Sequence, residues 1–406
     1  MTQKQMKEIV AILLVCIGAF SCSCKKEDGP QVVEPIAVTK TNTTKVYMHY
    51  MPWFNSKSIS GSWGIHWRMA NKNPEVILPN GQREIASHYY PLIGPYDTSD
   101  PDLIDYHVLL MKYSGIDGVL IDWYGSYSVL DYGSILKNSN AFIEGIKRVG
   151  LNFSLVYEDN TAYEVARRKG ITEITAAQED LKYARDHYFS SPNYIEIEGK
   201  PLLLTFGPRF FKTPTQWTEI LSVLNEKPTF FPLWNHKYRV GDDNAAGEFS
   251  WVDFTTTLED LDHFYKNSSV GLRIGSAYAG FHDFYKQGGW GDSYGHVDHQ
   301  DGATLSQTLQ KFQESHLPYL QLVTWNDFGE GTMLEPTVEF QYQFLETLQE
   351  YTGVTYKKSD LETIYTYYVK RKELKGNVEA QATLDEVFDA LNALEITRAQ
   401  ELLQQL

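Results

Sequence analysis

The segment TWNDFGEGTMLEPT, residues 324–337, gathers Asp327, Glu330 and Glu335 with two glycines and a tryptophan, directly behind the apolar run Tyr319–Val323. Packing alone does not ask for that composition; acid chemistry at the end of a buried strand does. Cleaving an acetal needs one carboxylic acid to protonate the leaving oxygen, and a second carboxylate to activate water or to attack. Asp327 and Glu330 stand three residues apart in a turn, so both side chains can reach one cleft. The plainer alternative is an acidic turn that caps the next helix. Glu335 precedes Pro336 and is expected to orient the loop or cap that helix, with a place at the substrate as the other option. No serine sits in a nucleophile-elbow setting. All three cysteines lie at or before Cys24, so the body of the chain has no thiol nucleophile, no disulfide framework and no cysteine-based zinc site.

Such a pair needs elements to hold it. Short apolar β-type runs at residues 46–50, 118–122, 152–157, 201–206, 229–233 and 319–324, with weaker ones at 250–254 and 270–278, alternate with helical patterns. The helical stretches are read at 101–114, 134–149, 173–188, 214–224 and 304–315, the first opened by Asp100 as N-cap and Pro101 at the first turn. Eight strands alternating with helices predict a (β/α)8 TIM barrel. A doubly wound open sheet is the competing fold, but no glycine-rich dinucleotide turn follows the first strand. After residue 355 the pattern becomes charged and helical through 406, with Leu384, Val387, Phe388, Leu391 and Leu394 in one stripe, read as a C-terminal helical extension.

In a parallel barrel, sites form at the carboxyl ends of the strands. Those ends read HYMPWF (from His49), DWYG (from Asp122), YED (from Tyr157), LWNH (from Leu233) and SAYAGFHD (from Ser276), while the segments entering the strands are plain. Polar aromatics collected at one end mark a binding face. The aromatic content of 14%, with 27 Tyr and 9 Trp, suits either a core or stacking against sugar rings. A net charge of −16 excludes nucleic acid and anionic membrane surfaces as expected partners. The acidic and histidine-rich loop GDSYGHVDHQDG (Asp292, His296, Asp298, His299, Asp301) matches no calcium-loop spacing, and neither a metal nor a cofactor is expected.

The first residues carry an address. Lys4 and Lys7 precede an apolar run at 9–20 and then Ser-Cys-Ser-Cys, too short for a membrane span. A lipoprotein signal peptide (1–22) with Cys22 acylated is expected, Cys24 being the other candidate and a plain cleaved signal the simpler one. A flexible tether (23–43) follows, and a catalytic barrel at 44–355. Lys25-Lys26-Glu27-Asp28 resembles the charged signals by which Bacteroidetes send lipoproteins to the cell surface. An outer-membrane lipoprotein, held to the membrane through its lipid alone, is therefore expected at the cell surface, with a periplasm-facing location as the alternative and a monomer as the state.

HYMPWF followed by GIHW, then HYYPLIGPYDTSD, SGIDGVLIDWYG and YED, resemble glycoside hydrolase family 99, and the likeness extends from about residue 45 to residue 353. The C-terminal motif is mixed. Family 99 endo-α-mannosidases carry Glu-Trp-His-Glu-Gly here and the related family 71 α-1,3-glucanases Trp-Asn-Asp-Tyr-Gly-Glu; this chain reads Trp325-Asn326-Asp327-Phe328-Gly329-Glu330-Gly331. The resemblance implies Glu330 as general acid, Asp327 as its partner carboxylate and Glu158 as a substrate contact. It further implies sugar contacts among His49, Tyr50, Trp53, His66, Trp67, Trp123, Trp234, Tyr278, Trp325 and Asn326. An aspartate draws its carboxylate back by about 1.5 Å relative to glutamate, which leaves room for a water and favours inversion over retention. The expected activity is cleavage of an α-linked polysaccharide, an α-mannan or α-glucan, by an endo-acting, inverting glycosidase. A non-catalytic carbohydrate-binding lipoprotein on the same barrel is the alternative.

Overall fold

The computed structural model describes residues 34–254, 258–267 and 271–406. The leader, Cys22, Cys24 and Val270 lie outside the described residues, so the lipoprotein reading rests on sequence alone. Pro35–Leu406 form one compact unit.

Eight strands run around a ring: β1 (Lys45–Tyr50), β2 (Gly118–Trp123), β3 (Asn152–Tyr157), β4 (Lys200–Thr205), β5 (Thr229–Pro232), β6 (Gly247–Phe249), β7 (Leu272–Tyr278) and β8 (Tyr319–Val323). β1 pairs in parallel with both β2 and β8, and parallel ladders join β2 to β3, β3 to β4, β4 to β5, β6 to β7 and β7 to β8. The seam between β5 and β6 is thin. A parallel bridge between Leu233 and Phe249 closes it, flanked by N–H donation from Trp234 to Phe249 O (2.8 Å) and from Ala246 to Phe230 O (2.9 Å). The ring is the (β/α)8 barrel that the alternation predicts.

The outer layer comprises α1 (Pro101–Tyr113), α2 (Tyr132–Arg148), α3 (Thr161–Lys169), α4 (Glu173–Ala184), α5 (Pro214–Leu221), α6 (Leu258–Lys266), α7 (Ala303–Ser315) and α8 (Gln343–Thr352). α1 starts where Asp100 accepts the Asp102 N–H at 3.1 Å, and α5 starts with a capping box between Thr213 and Gln216. Side chains alternate across each strand. Tyr47, Leu120, Val156, Leu202, Leu204, Phe231, Phe249 and Ile274 share one buried cluster that fills the barrel. The opposite parity, including Val46, Met48, Val119, Ile121, Leu155, Leu320 and Leu322, joins the helix-facing core.

Several elements depart from expectation. The sixth strand is Gly247–Phe249, not 250–254. Glycine and glutamate hide its β character, and Glu248 earns its buried place by accepting N–H bonds from His236 (2.9 Å) and Lys237 (2.6 Å). The sequence after it, starting with Ser250 and Trp251, is therefore free to serve the mouth of the barrel. Helices α3 and α6 were not foreseen. The expected tether ends early, because residues 40–44 are already fastened: Lys40 pairs with Asp117, and Asn42 donates from its backbone to Thr352 O (3.1 Å) and from its side chain to Tyr351 O (3.0 Å).

The C-terminal extension forms three helices, α9 (Lys358–Glu373), α10 (Val378–Asn392) and α11 (Ile396–Leu403). The apolar stripe that starts at Leu384 does not run on through one helix: the chain breaks where Leu394 takes a left-handed φ of 62°. These helices cover α1. Tyr367 donates to Asp105 (3.0 Å), Tyr113 donates to Leu391 O (2.9 Å), and the buried Lys112 ammonium donates to Asn392 O (2.7 Å) and Oδ1 (2.8 Å) and to Val149 O (3.1 Å).

Candidate active site

The turn after β8 is built to present two carboxylates. Asp327 is fixed by its own N–H, which donates to Thr324 Oγ1 (2.8 Å), and by its Oδ1, which accepts the Glu330 N–H (3.0 Å). Gly331 takes a φ of 66°, and a side chain there would meet His282 O at 2.7 Å, so the turn closes tightly only with glycine. The loop after β7 zips onto it, with His282 N–H donating to Glu330 O and Phe284 N–H to Gly329 O, both at 2.8 Å. That zip delivers the Tyr285 hydroxyl to Glu330 Oε1 at 2.8 Å.

Two further carboxylates face the pair. Asp122 at the end of β2 is buried, with Oδ2 lacking a partner among the described residues, and Glu158 follows β3. Burial raises all four; charge from within the set adds to it for Asp122, Glu158 and Asp327, and charge from Asp283 adds to it for Glu330. Asp122 and Asp327 are pushed well above the ordinary aspartate range, Glu158 up to about 8 and Glu330 up to about 6. The Arg209 guanidinium pulls Asp122, Glu158 and Glu330 back down, and the Tyr285 hydroxyl does the same for Glu330. Like charges this close share protons as a set, so geometry rather than order of titration assigns roles within it.

Glu330 opens into a cavity of about 460 Å³ lined also by Phe206, Arg209, Trp234, His236, Trp251 and Tyr294. Asp327 opens into a narrow cleft of about 110 Å³ with Trp53, His66, Tyr124, Tyr285 and Trp290. A shallow depression shares Tyr294 with the first cavity, and Tyr285 and Trp290 with the second. The three form a groove along the mouth, with both carboxylates and Tyr285 at its centre.

Of the expected contacts, Trp53, His66, Trp234 and Glu158 stand at this groove or face its carboxylates. Trp53 stacks on His66 at 4.2 Å. His49 lies beneath, fully buried in the barrel, edge-on to Trp251 at 4.8 Å; burial pushes its pKa down to about 3, so it is a neutral floor residue. Asn326 clamps the β8 turn to the first loop, its Oδ1 accepting Met51 N–H (2.9 Å) and its Nδ2 donating to Met51 O (3.0 Å). Glu335 is buried, takes the Tyr96 hydroxyl at 2.6 Å and lies 3.3 Å from His107 Nε2; it orients the loop and does not reach the groove.

Five others are corrected to core. Tyr50 points out of the barrel and stacks on Phe142 of α2 at 3.8 Å. Trp123, next to inward-facing Asp122, packs among Tyr157, Tyr183 and Tyr188. Trp67 is sealed against Phe54 and donates to Tyr96 O (2.8 Å). Trp325 packs edge-on to His107 at 5.2 Å, and Tyr278 is fully buried where its backbone meets Thr308 of α7. Sequence reasoning missed Asp122, Arg209, Tyr285 and Trp251. Strand parity was the available signal for Asp122; Arg209 and Tyr285 lie in loops whose course no local pattern fixes. Among the described residues, no group of three or more His, Cys, Asp or Glu side chains is placed to hold a metal ion.

The solved structure of the family 99 endo-α-mannosidase from Bacteroides thetaiotaomicron superposes with a TM-score of 0.60 at 17% identity, over 80% of this chain and 99% of that one. A glycoprotein endo-α-1,2-mannosidase-like protein of Danio rerio is 25% identical over 191 residues, covering 44% of this chain and 41% of the relative. The chain is similar to glycoside hydrolase family 99. The glycoprotein endo-α-1,2-mannosidase of Mus musculus is 28% identical over 191 residues, 44% of this chain and 39% of its own. The chain thus spans about two fifths of these relatives' length. No family model matches it. The fold likeness independently supports the closed barrel.

Proposed function

We propose that this protein is a glycoside hydrolase that cleaves α-mannan within the chain, with Glu330 as general acid and Asp327 as the carboxylate that activates water. The observation that carries the reading is the pairing of Asp327 and Glu330 on one turn, each opening into one of two adjoining cavities. Glu330 faces the roomier side, where a departing sugar is accommodated, and gives its proton to the glycosidic oxygen. Asp327 faces the narrow side and takes a proton from water attacking the anomeric carbon. The likeness to endo-α-mannosidases supports the sugar, and a groove open beyond a single sugar supports internal cleavage. Asp327 in place of a longer glutamate supports inversion.

Digestion of α-mannan and α-1,3-glucan by wild type and Glu330→Gln tests this. Wild type is expected to release oligosaccharides from mannan, and the variant to lose about 10²- to 10⁴-fold in rate while still binding. Equal rates in the two proteins, or binding without cleavage by either, would point to a carbohydrate-binding protein instead. Inversion is read by proton NMR: the first product from an α-linked substrate is the β-anomer, and initial α-anomer removes inversion without touching the activity. Because Glu330 acts protonated and its pKa is raised to about 6, activity is expected to fall as pH rises above that value.

The same proposal places the enzyme on the outer membrane through acylated Cys22, facing outward. Palmitate labelling lost in Cys22→Ala supports the anchor, and labelling retained there moves it to Cys24.

A further inference from the structure

The Glu330 cavity has a basic side. Two loops form it, residues 206–212 after β4 and 233–240 after β5, and they carry Arg209, Lys212, His236, Lys237 and Arg239, of which Lys237 pairs with Asp242 at 3.2 Å. Arg209 and His236 line the cavity. None of Arg209, Lys212 and Arg239 has a carboxylate partner within ion-pair distance among the described residues. The Arg209 guanidinium lies over the Phe206 ring, 4.9 Å from its centroid. Arg239 gives Nε to the Tyr238 hydroxyl (2.8 Å) and Nη1 to Pro208 O (3.3 Å). Lys212 is exposed. After burial, the charges that hold the His236 pKa down are Arg239, Arg209 and Lys212, all cations, and its Nδ1 is buried without a partner among the described residues.

Two acids near these loops are committed to building them, while Glu158 and Glu330 lie in the field of the Arg209 guanidinium. Asp159 accepts the N–H groups of Arg209, Phe210 and Phe211 at 2.8, 2.9 and 2.8 Å, and Glu248 accepts those of His236 and Lys237. Both loops are held by backbone bonds to buried carboxylates, so Asp159 and Glu248 spend their oxygens on N–H groups and not on the loops' cationic side chains. Asp253 and Asp260 also line the cavity, from the β6–α6 side, which confines any anion to the β4–β5 side. In a chain of net charge −16, five basic groups gathered on two adjacent loops, four of them without an acidic ion-pair partner among the described residues, run against the general field.

Building on the glycosidase reading, we propose that the β4–β5 side of the cavity is a subsite for an anionic substituent, a phosphate or a carboxylate, carried by a sugar next to the one cleaved. Guanidinium groups suit either anion because their paired N–H donors match its oxygens. The subsite also communicates with the acid. Arg209 restrains Glu330 from holding its proton, and an anion engaged by Arg209 relieves that restraint, so recognition of the substituent keeps Glu330 protonated to higher pH.

The test uses α-manno-oligosaccharides of matched length that are neutral, phosphorylated, or capped by a uronic acid. Wild type is expected to favour one anionic form at least tenfold in kcat/KM at low salt, with the preference shrinking as ionic strength rises. Lys212→Gln and Arg239→Gln should each lower the ratio of anionic to neutral kcat/KM, and the alkaline limb of the pH–rate profile should sit higher for the preferred anionic substrate. Lys212 is exposed, so its variant reports even if Arg239→Gln folds poorly. The better of the two anionic substrates identifies the substituent. Cleavage of all three at one rate overturns this subsite and leaves the glycosidase standing. Absence of cleavage of any of them sinks the glycosidase reading, and calorimetric binding of the same oligosaccharides then decides the subsite by itself: equal affinity for neutral and anionic forms ends it.

Discussion

Two sets of buried carboxylates lie within the same barrel, one at its mouth and one behind its loops, and burial does not tell them apart. Asp159, Asp97 and Glu335 behind the loops are as deeply buried as Asp122 and Asp327 at the mouth. Their partners differ. Asp159 takes three backbone N–H bonds. Asp97 takes the N–H groups of Ser56 and Ser99 and the Ser99 hydroxyl, and Glu335 takes Tyr96. At the mouth, Asp122 has an oxygen with no partner among the described residues, and Glu330 is met by the hydroxyl of Tyr285. Behind the loops Asp159 and Asp97 are structural acceptors, their capacity used up by the chain, and Glu335 takes Tyr96 with its other oxygen 3.3 Å from His107 Nε2. At the mouth the capacity is left open: burial pushes the pKa of Asp122 and Asp327 well up with few hydrogen bonds to offset it, and acid–base chemistry is left to the substrate.

The widest separation is expected in activity. Asp327→Asn should lower the rate by about 10²- to 10⁴-fold with no loss of Tm, since the amide oxygen can still accept the Glu330 N–H. A fall in Tm of several degrees would move Asp327 into the structural set and break the comparison. Asp159→Ala should do the reverse of sparing the fold. It strands three N–H donors, and at about 1–3 kcal/mol for each buried unsatisfied group the loss is on the order of 3 kcal/mol or more, read as a lower urea midpoint. Asp159→Asn keeps one acceptor oxygen and should cost less; equal costs would show that charge, not bonding, is what the site needs.

How much of this was written in the chain follows from the same parity that sorts the carboxylates. The alternation of strands and helices made the barrel legible, and polar aromatics at the strand ends marked the correct face. The motif around Asp327 and Glu330 marked a turn whose two carboxylates open into adjoining cavities. What failed was choosing between neighbours. On β1, His49 points in and Tyr50 out; on β2, Asp122 points in and Trp123 out. Aromatic character drew attention to both members of each pair, whereas period-two geometry admits only one to the mouth. Counting inward from Leu120, which fills the barrel, selects Asp122 over Trp123 and was available from sequence. Arg209 and Tyr285 were not: each reaches the site through a long-range bond that no local pattern encodes, the Arg209 N–H donating to Asp159 and the His282 N–H, on the Tyr285 loop, donating to Glu330 O.

A smaller effect sharpens the contrast through pH. The Asp122 pKa is raised in the folded protein, so the site is most stable with Asp122 protonated. That contribution is full below the unfolded value near 4 and is lost as pH rises through the folded one. Asp122→Asn should therefore raise Tm at pH 7, by about 2 °C or more, and the gain should vanish near pH 4. A variant that is destabilised at pH 7 would mean the carboxylate has a structural partner after all.

The smallest effect runs in the opposite direction and concerns the loop that carries Tyr285. His282 stacks on His88 at 3.6 Å and lies 4.4 Å from His296, while the Tyr89 hydroxyl reaches both His282 and His299. Burial, with the neighbouring imidazoles, pushes His282 and His299 down to about 4, against the pull of Asp298 on both and of Asp283 on His282. For a base with a depressed folded pKa, stability is full above the unfolded value near 6.5 and is lost as pH falls toward 4. Between those limits the mouth carboxylates gain stability by protonation while this anchor loses it, so the two regions shift Tm in opposite senses. His282→Phe keeps a ring against His88 and removes one titration. Its Tm should fall less than that of wild type between pH 6.5 and pH 4, by about 1–2 °C; parallel curves would show that the stack holds the loop without sensing acid.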